Sequence, residues 1–256
     1  MRKVALLALN SWQENLRNRF YMLALVFCLV LLYVSLIFGL LAVDQELRVL
    51  QDFGLALTEL MGLAGALYGA TTAILREMET KTIYLILTRP VRRGEYLLGR
   101  FAGLMLSVLA SMSLMAFFHL VLLFYKGWHW EAYYLWAFLG AFLKVLITAS
   151  LALFLALASS SVLTAGSLAA ILWTLGHFLP EIRRLISEGA PAAAILPLTV
   201  AAYVLPDLQL FNVRDRIPTG TLQWAEAPLY VWFGYAALYS AVWLVLSRHW
   251  LRKKEL

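Results

Sequence analysis

Two ionisable side chains, Glu59 and Lys144, stand inside runs of sequence that are otherwise almost wholly apolar. A charge in hydrocarbon is costly unless it is paired or faces water, so each is a candidate for handling a proton or an ion. Two structural roles compete with that chemistry. Glu59 could reach the outer interface or pair with Arg48, and Lys144 could snorkel or cap backbone carbonyls inside a bundle. A proton or ion relay normally shows more carboxylates than this, which favours the structural roles.

A second constellation is the segment REMETKTIYLILTRPVRRGEY, residues 76 to 96. Its charges come first, at Arg76, Glu77, Glu79 and Lys81, and an unbroken apolar run follows from Ile83 to Leu87. A solvated connector has no use for such a run, and an apolar patch of this kind wants a partner. Pro90 disfavours helix at Arg89 and so ends a short helix, and Gly94 permits the turn that follows. The expectation is a helix lying parallel to a membrane on a basic, tightly turned stalk, against lipid heads or a protein.

Catalytic motifs are missing from the sequence. No G-x-x-x-x-G-K-[ST] occurs, so the chain has no P-loop with which to bind and hydrolyse ATP. His119, His129, His177 and His249 lack metal-ligand spacing, and there is no H-E-x-x-H. Serines are plentiful, but none sits in a nucleophile motif such as G-x-S-x-G. Cys28 is alone and can form neither an intrachain disulfide nor a multi-cysteine metal site. The chain is read as a non-enzyme with no metal or cofactor of its own.

The elements that must position these residues are membrane helices. Of 256 residues, 62% are hydrophobic and 14% charged, with a mean hydropathy of +0.78. Those values lie outside the range of water-soluble globular domains. A spanning helix needs about 20 mainly apolar residues to cross roughly 30 Å of hydrocarbon. Six stretches qualify, at 20–43, 53–75, 97–124, 133–158, 162–179 and 229–247. Barrel strands would alternate apolar and polar residues over shorter runs. The expected fold is an all-α integral membrane bundle in a single domain, residues 1–256. The first stretch is read as a retained span, because no small-residue cleavage site follows Phe38 to Val43.

With both termini and residues 76–100 on one side, that side carries most of the 21 Lys and Arg residues. The positive-inside rule makes it cytoplasmic. The net charge of +6 then reflects topology, with contact to anionic lipid heads as a by-product and no call for nucleic acid.

Around the spans, Leu9, Trp12, Leu16 and Phe20 recur at helical spacing, which predicts an interfacial elbow helix over 1–19. Gly62, Gly65 and Gly69 in the second span allow close helix approach, within the chain or across a homodimer. ASSSVLTAG forces a tight hairpin between spans four and five. Beyond Pro180, EIRRLISEG can form a short polar helix. AAAILPLTVAAYVL, broken by Pro197, is too short to span and is read as interfacial or re-entrant within the outer segment 180–228. One more crossing would put Arg252, Lys253 and Lys254 outside. Trp128, Trp130, Trp136, Trp224 and Trp232 are expected as an aromatic belt at the outer interface.

The segment REMETKTIYLILTRPVRRGEYLLGR resembles the cytoplasmic signature of ABC-2 type transporter permeases. The matching positions are Glu77, Glu79, Thr82, Leu85, Leu87, Pro90, Arg92, Arg93, Gly99 and Arg100. LPDLQLFNVRD, residues 205 to 215, resembles an element before the last span of many such permeases, including the one serving nitrous-oxide reductase maturation. Lys81 departs from the pattern, standing where many members have Gly. The resemblance implies an ATP-driven complex in a bacterial or archaeal cell (inner) membrane. Two permeases, identical or homologous, would sit on two separate cytoplasmic ATPase subunits that hold ATP and Mg.

On that reading residues 77–87 form a coupling helix docked in the ATPase. Ile83 and Leu87 supply burial, Glu77, Glu79, Arg92 and Arg93 set orientation and specificity, and Lys81, Thr82, Arg89 and Pro90 complete the ATPase-coupling set. The expected function is export of a lipid-like or other hydrophobic substrate. Two alternatives remain. One is a mechanotransmission subunit that drives an extracytoplasmic protein through the outer segment; the other is an ion-coupled carrier using Glu59 and Lys144.

Overall fold

The computed structural model describes residues 2–17, 19–41, 46–80, 92–189, 191–213 and 229–253. Among them the chain is helical throughout and forms no strand. The helices are α1 (Arg2–Arg17), α2 (Arg19–Leu41), α3 (Glu46–Glu79), α4 (Arg93–Tyr125), α5 (Tyr133–Ala158), α6 (Val162–His177), α7 (Leu179–Ser187), α8 (Ala192–Val204) and α9 (Leu229–Lys253), with a 3-10 turn at Gln209–Phe211.

Helices α3, α4, α5 and α9 are long and apolar enough to cross a membrane, and α6 with α7 makes a fifth if that bent pair is one span. Helix α2 coincides with the expected first span and contributes the apolar stretch Leu25–Ile37.

The fifth expected span, 162–179, does not run straight to its end. Helix α6 stops at His177 and the chain turns by 55° into α7. Pro180 sits in the first turn of α7, where its missing N–H costs nothing, but its ring could not have continued α6. With 16 residues, α6 covers only about 24 Å, so its broken end lies within the depth of the bundle. Backbone groups freed there must find partners inside the protein. The Phe178 N–H donates to Leu175 O at 3.0 Å, and the Leu208 N–H reaches back to Gly176 O at 3.2 Å.

Helices α3 and α4 form an antiparallel pair whose register can be followed along its length. Lys126 Nζ meets Glu46 Oε1 at 2.5 Å at one end. His119 lies over Gly54 and Met112 over Gly62 in the middle. At the other end Arg100 and Tyr96 meet Glu77. At 34 and 33 residues both run about 50 Å, beyond the roughly 30 Å of hydrocarbon. Their shared end therefore projects toward water.

Helix α5 is the centre of the bundle, packed against α3, α6 and α9. Small side chains make that possible: Ala149, Ala152 and Ala156 are fully buried beside Val145 and Leu157. Helix α9 turns most of its surface outward, with Leu238, Val242 and Val245 exposed.

The elbow helix gains a packing seat, and the expectation of a tryptophan belt changes. The elbow helix α1 presents Ala8 and Ser11 to α4, while Leu6 and Leu9 face outward. Its seat is a second small-residue pair, Gly99 and Gly103, one turn apart. A Cβ on Gly103 would stand 2.5 Å from Ala8 O and 2.6 Å from Ser11 Cβ; one on Gly99 would stand 2.6 Å from Leu7 Cβ. Of the expected tryptophan belt, Trp128 and Trp232 are instead core residues. The first packs against Phe124 and Tyr134 where α4 turns into α5, and the second against Phe211, where the chain folds back over α9. Trp130 is exposed, and Trp224 lies outside the described residues.

Replacing Gly103 by Leu forces α1 off α4. The expected cost is about 1–3 kcal/mol, read as a lower melting temperature in detergent and as new protease cleavage within residues 2–17.

Candidate functional site

The buried charges of the sequence meet each other. Lys144 on α5 donates to both carboxylate oxygens of Glu59 on α3, at 3.0 and 3.1 Å. Glu59 is 4% exposed and Lys144 1%. Neither snorkelling of Lys144 nor an Arg48 partner for Glu59 is needed to account for them. His177 at the end of α6 brings Nε2 to 3.6 Å from Glu59 Oε1, while its Nδ1 lies 3.0 Å from Trp173 O. The first contact exceeds hydrogen-bond length. Helices α3 and α5 are thereby tied at one buried point, with the end of α6 beside it.

That outer segment is held as firmly. Gly140 on α5 and Gly176 on α6 lie under the backbone carbonyls of Phe211 and Pro206, where a Cβ would stand at 2.4 and 2.9 Å. Leu208 and Phe211 are buried. Arg183 on α7 bonds Asp207 at 2.9 Å. The Asp207 N–H donates to the Tyr235 hydroxyl at 2.8 Å, and the Tyr239 hydroxyl donates to Val204 O at 2.6 Å. The LPDLQLFN stretch is thus a lid fastened to α5, α6 and α9. Its last residues, from Arg214 on, lie outside the described residues.

The opposite end of the bundle carries the second constellation. Glu77, in the last turn of α3, accepts from the Tyr96 hydroxyl and pairs with the Arg100 guanidinium. Arg100 also reaches Glu14 on α1 at 2.5 Å. Arg93 donates to Leu251 O at 2.7 Å and Arg252 O at 3.3 Å, closing the C-terminus of α9. Arg92 is exposed, and its backbone N–H donates to Glu95 at 2.9 Å. Glu79 belongs to α3, and its side chain is outside the described set. So are Lys81, Thr82, Ile83, Leu87, Arg89 and Pro90. What is described is the base on which that loop stands, and it joins α1, α3, α4 and α9.

No protein-family model matches the chain, and no curated protein matches it. Among the described residues no cluster of three or more His, Cys, Asp or Glu is arranged to hold a metal ion.

The sequence singles out Glu59, Lys144, Glu77, Arg93 and Arg100 but not the side chains that gather around them. Tyr96, Glu14 and His177 carry no spacing signal toward them, because each contact joins different helices. His119 was also set aside as scattered. It bridges Leu50 O at 3.1 Å and the Tyr134 hydroxyl at 2.9 Å, joining α3, α4 and α5. The glycine at position 54, which leaves room for that ring, was its one local trace.

A buried ion pair is costly to break and cheap to replace as a pair. The Lys144→Met chain, left with an unmatched Glu59, is expected to lose about 3–5 kcal/mol. The double variant Glu59→Gln, Lys144→Met recovers a substantial part of it. Melting monitored by size exclusion checks the order: wild type highest, single variant lowest. A double variant no better than the summed singles overturns the pairing.

Proposed function

We propose that this chain is the transmembrane subunit of an ATP-driven transport complex of the ABC-2 type. It would have six spans and cytoplasmic termini, and it would couple hydrolysis in a separate ATPase to export of a lipid-like or other hydrophobic substrate. The observation that carries the reading is the Arg100 junction. One guanidinium joins Glu77 at the end of α3 to Glu14 of α1, and Arg93 at the start of α4 fastens the end of α9. A loop that receives force must stand on helices that move together, and residues 81–91 stand between two so fastened. Ile83 and Leu87 supply the apolar contact to the ATPase, and the charges flanking them set its orientation. ATP-driven closure of the ATPase pair would then tilt α3 and α4 as nearly rigid bodies.

A second reading draws on the lid at the opposite end. Because Arg183–Asp207, Tyr235 and Tyr239 fix the outer segment to the bundle, motion begun at the cytoplasmic loop would reach that surface. A subunit built so could drive an extracytoplasmic protein without passing a substrate.

Affinity purification of the full chain in mild detergent, with intact-complex mass determination, separates these. Two permease copies with two ATPase subunits are the expected result, and the Ile83→Asp, Leu87→Asp chain should lose the ATPases while still dimerising. A wild-type chain that never carries an ATPase sinks the proposal. An additional extracytoplasmic protein, with hydrolysis indifferent to hydrophobic substrates, selects the second reading.

A further inference from the structure

At the end of the bundle that holds the loop, α4 and α9 splay apart. A cleft of about 330 Å³ opens between the first turns of α4 and the last turns of α9. Its volume lies at the small end of the roughly 300–1,000 Å³ seen for ligand clefts, which suits a headgroup rather than a whole amphiphile. Two arginines, Arg92 and Arg248, line it. Both are exposed, and neither forms an ion pair with a described residue. The one acid in its wall, Glu95, is engaged on the backbone N–H of Arg92. Arg93, between them in sequence, is turned away onto the carbonyls that end α9. The cleft is therefore left with more cationic than anionic charge.

Arg248 is also held in place. Its Cδ and Nε lie across the backbone of Gly94, 3.2 Å from where a Cβ would stand. A Cβ at 94 would press on the Arg248 side chain and shift it by a few tenths of an ångström. Toward the middle of the bundle the walls turn apolar, with Leu98, Leu244 and Val245. Leu98 and Val245 are 47% and 65% exposed, so that side opens outward from the bundle. Cations at headgroup depth above an exposed apolar wall match one chemistry, a phosphodiester carrying acyl chains. The basic side of the bundle faces the cytoplasmic leaflet, where anionic lipids attract juxtamembrane Lys and Arg.

We propose that the α4–α9 cleft binds one anionic phospholipid, its phosphate between Arg92 and Arg248 and an acyl chain along Leu98, Leu244 and Val245. The site needs only membrane embedding and is independent of the transport reading. A bound lipid there would fill the gap between α9 and α4 next to the stalk of the 81–91 loop.

Native mass spectrometry of the detergent-solubilised full chain, titrated with phosphatidylglycerol or phosphatidylcholine, tests this. Wild type should retain one phosphatidylglycerol per chain in clear preference to phosphatidylcholine. Arg92→Gln with Arg248→Gln should weaken that binding by about 30-fold, about fivefold for each arginine near the membrane surface. Arg252→Gln, the same loss of charge outside the cleft, should leave it within about twofold. Val245→Trp keeps both cations but fills the apolar wall, and should also weaken retention. Equal retention of both lipids overturns the proposal, as does a double variant that binds like wild type. Displacement of phosphatidylglycerol by millimolar inorganic phosphate alone, with Val245→Trp silent, would make the cleft a free-anion site and overturn it too.

Discussion

Hydrocarbon offers no hydrogen bonds, so every polar group within the bundle must find its partner inside the protein. The pairing of Lys144 with Glu59 is where that constraint is most severe, because two full charges sit less than 5% exposed. Much of the interior follows from bringing these residues together. Helix α5 must lie against α3 at the depth of Lys144, and its small residues, Ala149, Ala152 and Ala156, let it do so. Helix α6 must end where His177 can face the same carboxylate. The neighbouring polar residues are settled by local means. Thr58 bonds back to Gly54 O and Thr148 to Lys144 O, each one helical turn away.

The two ends of the bundle answer the same constraint differently. At the outer end, the break after α6 frees backbone groups, and the chain from Pro206 to Phe211 returns to cover them. Gly140 and Gly176 permit that return, since any side chain there would collide with a carbonyl. At the opposite end, where α3 stops and α4 begins, charged groups bind helices to one another. Arg100 spans α1, α3 and α4, and Arg93 spans α4 and α9.

How much of this was legible in the sequence depends on whether a feature is local. Long apolar runs gave the helix positions closely, because the requirement for continuous apolar residues acts along the chain. The early end of α6 was only half visible. Pro180 was in view, but the run of apolar residues before it hid the stop at His177. The pairing of Glu59 with Lys144 was illegible, since 85 residues separate them and nothing local to either names the other. The tryptophans misled for a related reason. Trp128 and Trp232 have the positions of interface anchors, but Phe124 and Tyr134 enclose the first and the return of Phe211 covers the second. Gly99 enters the sequence reading only as part of a loop signature and Gly103 not at all, although their packing role is to seat α1.

Geometry also bears on the choice among functions. An ion-coupled carrier built on Glu59 would need that carboxylate to exchange partners during each cycle, with water or an ion taking the place of Lys144. Both carboxylate oxygens face one ammonium at 3.0 and 3.1 Å, and the lid over the pair is fastened by Arg183–Asp207, Tyr235 and Tyr239. Opening the pair leaves two charged groups buried without partners, at the cost that attends any broken buried ion pair. A rigid internal tie of this kind is a poor gate. As a tie it fixes α3 and α5 at one depth, which agrees with the proposed transmission role better than with ion exchange. The same residues that would make an inefficient relay therefore suit a subunit whose work is to transmit force between its two faces.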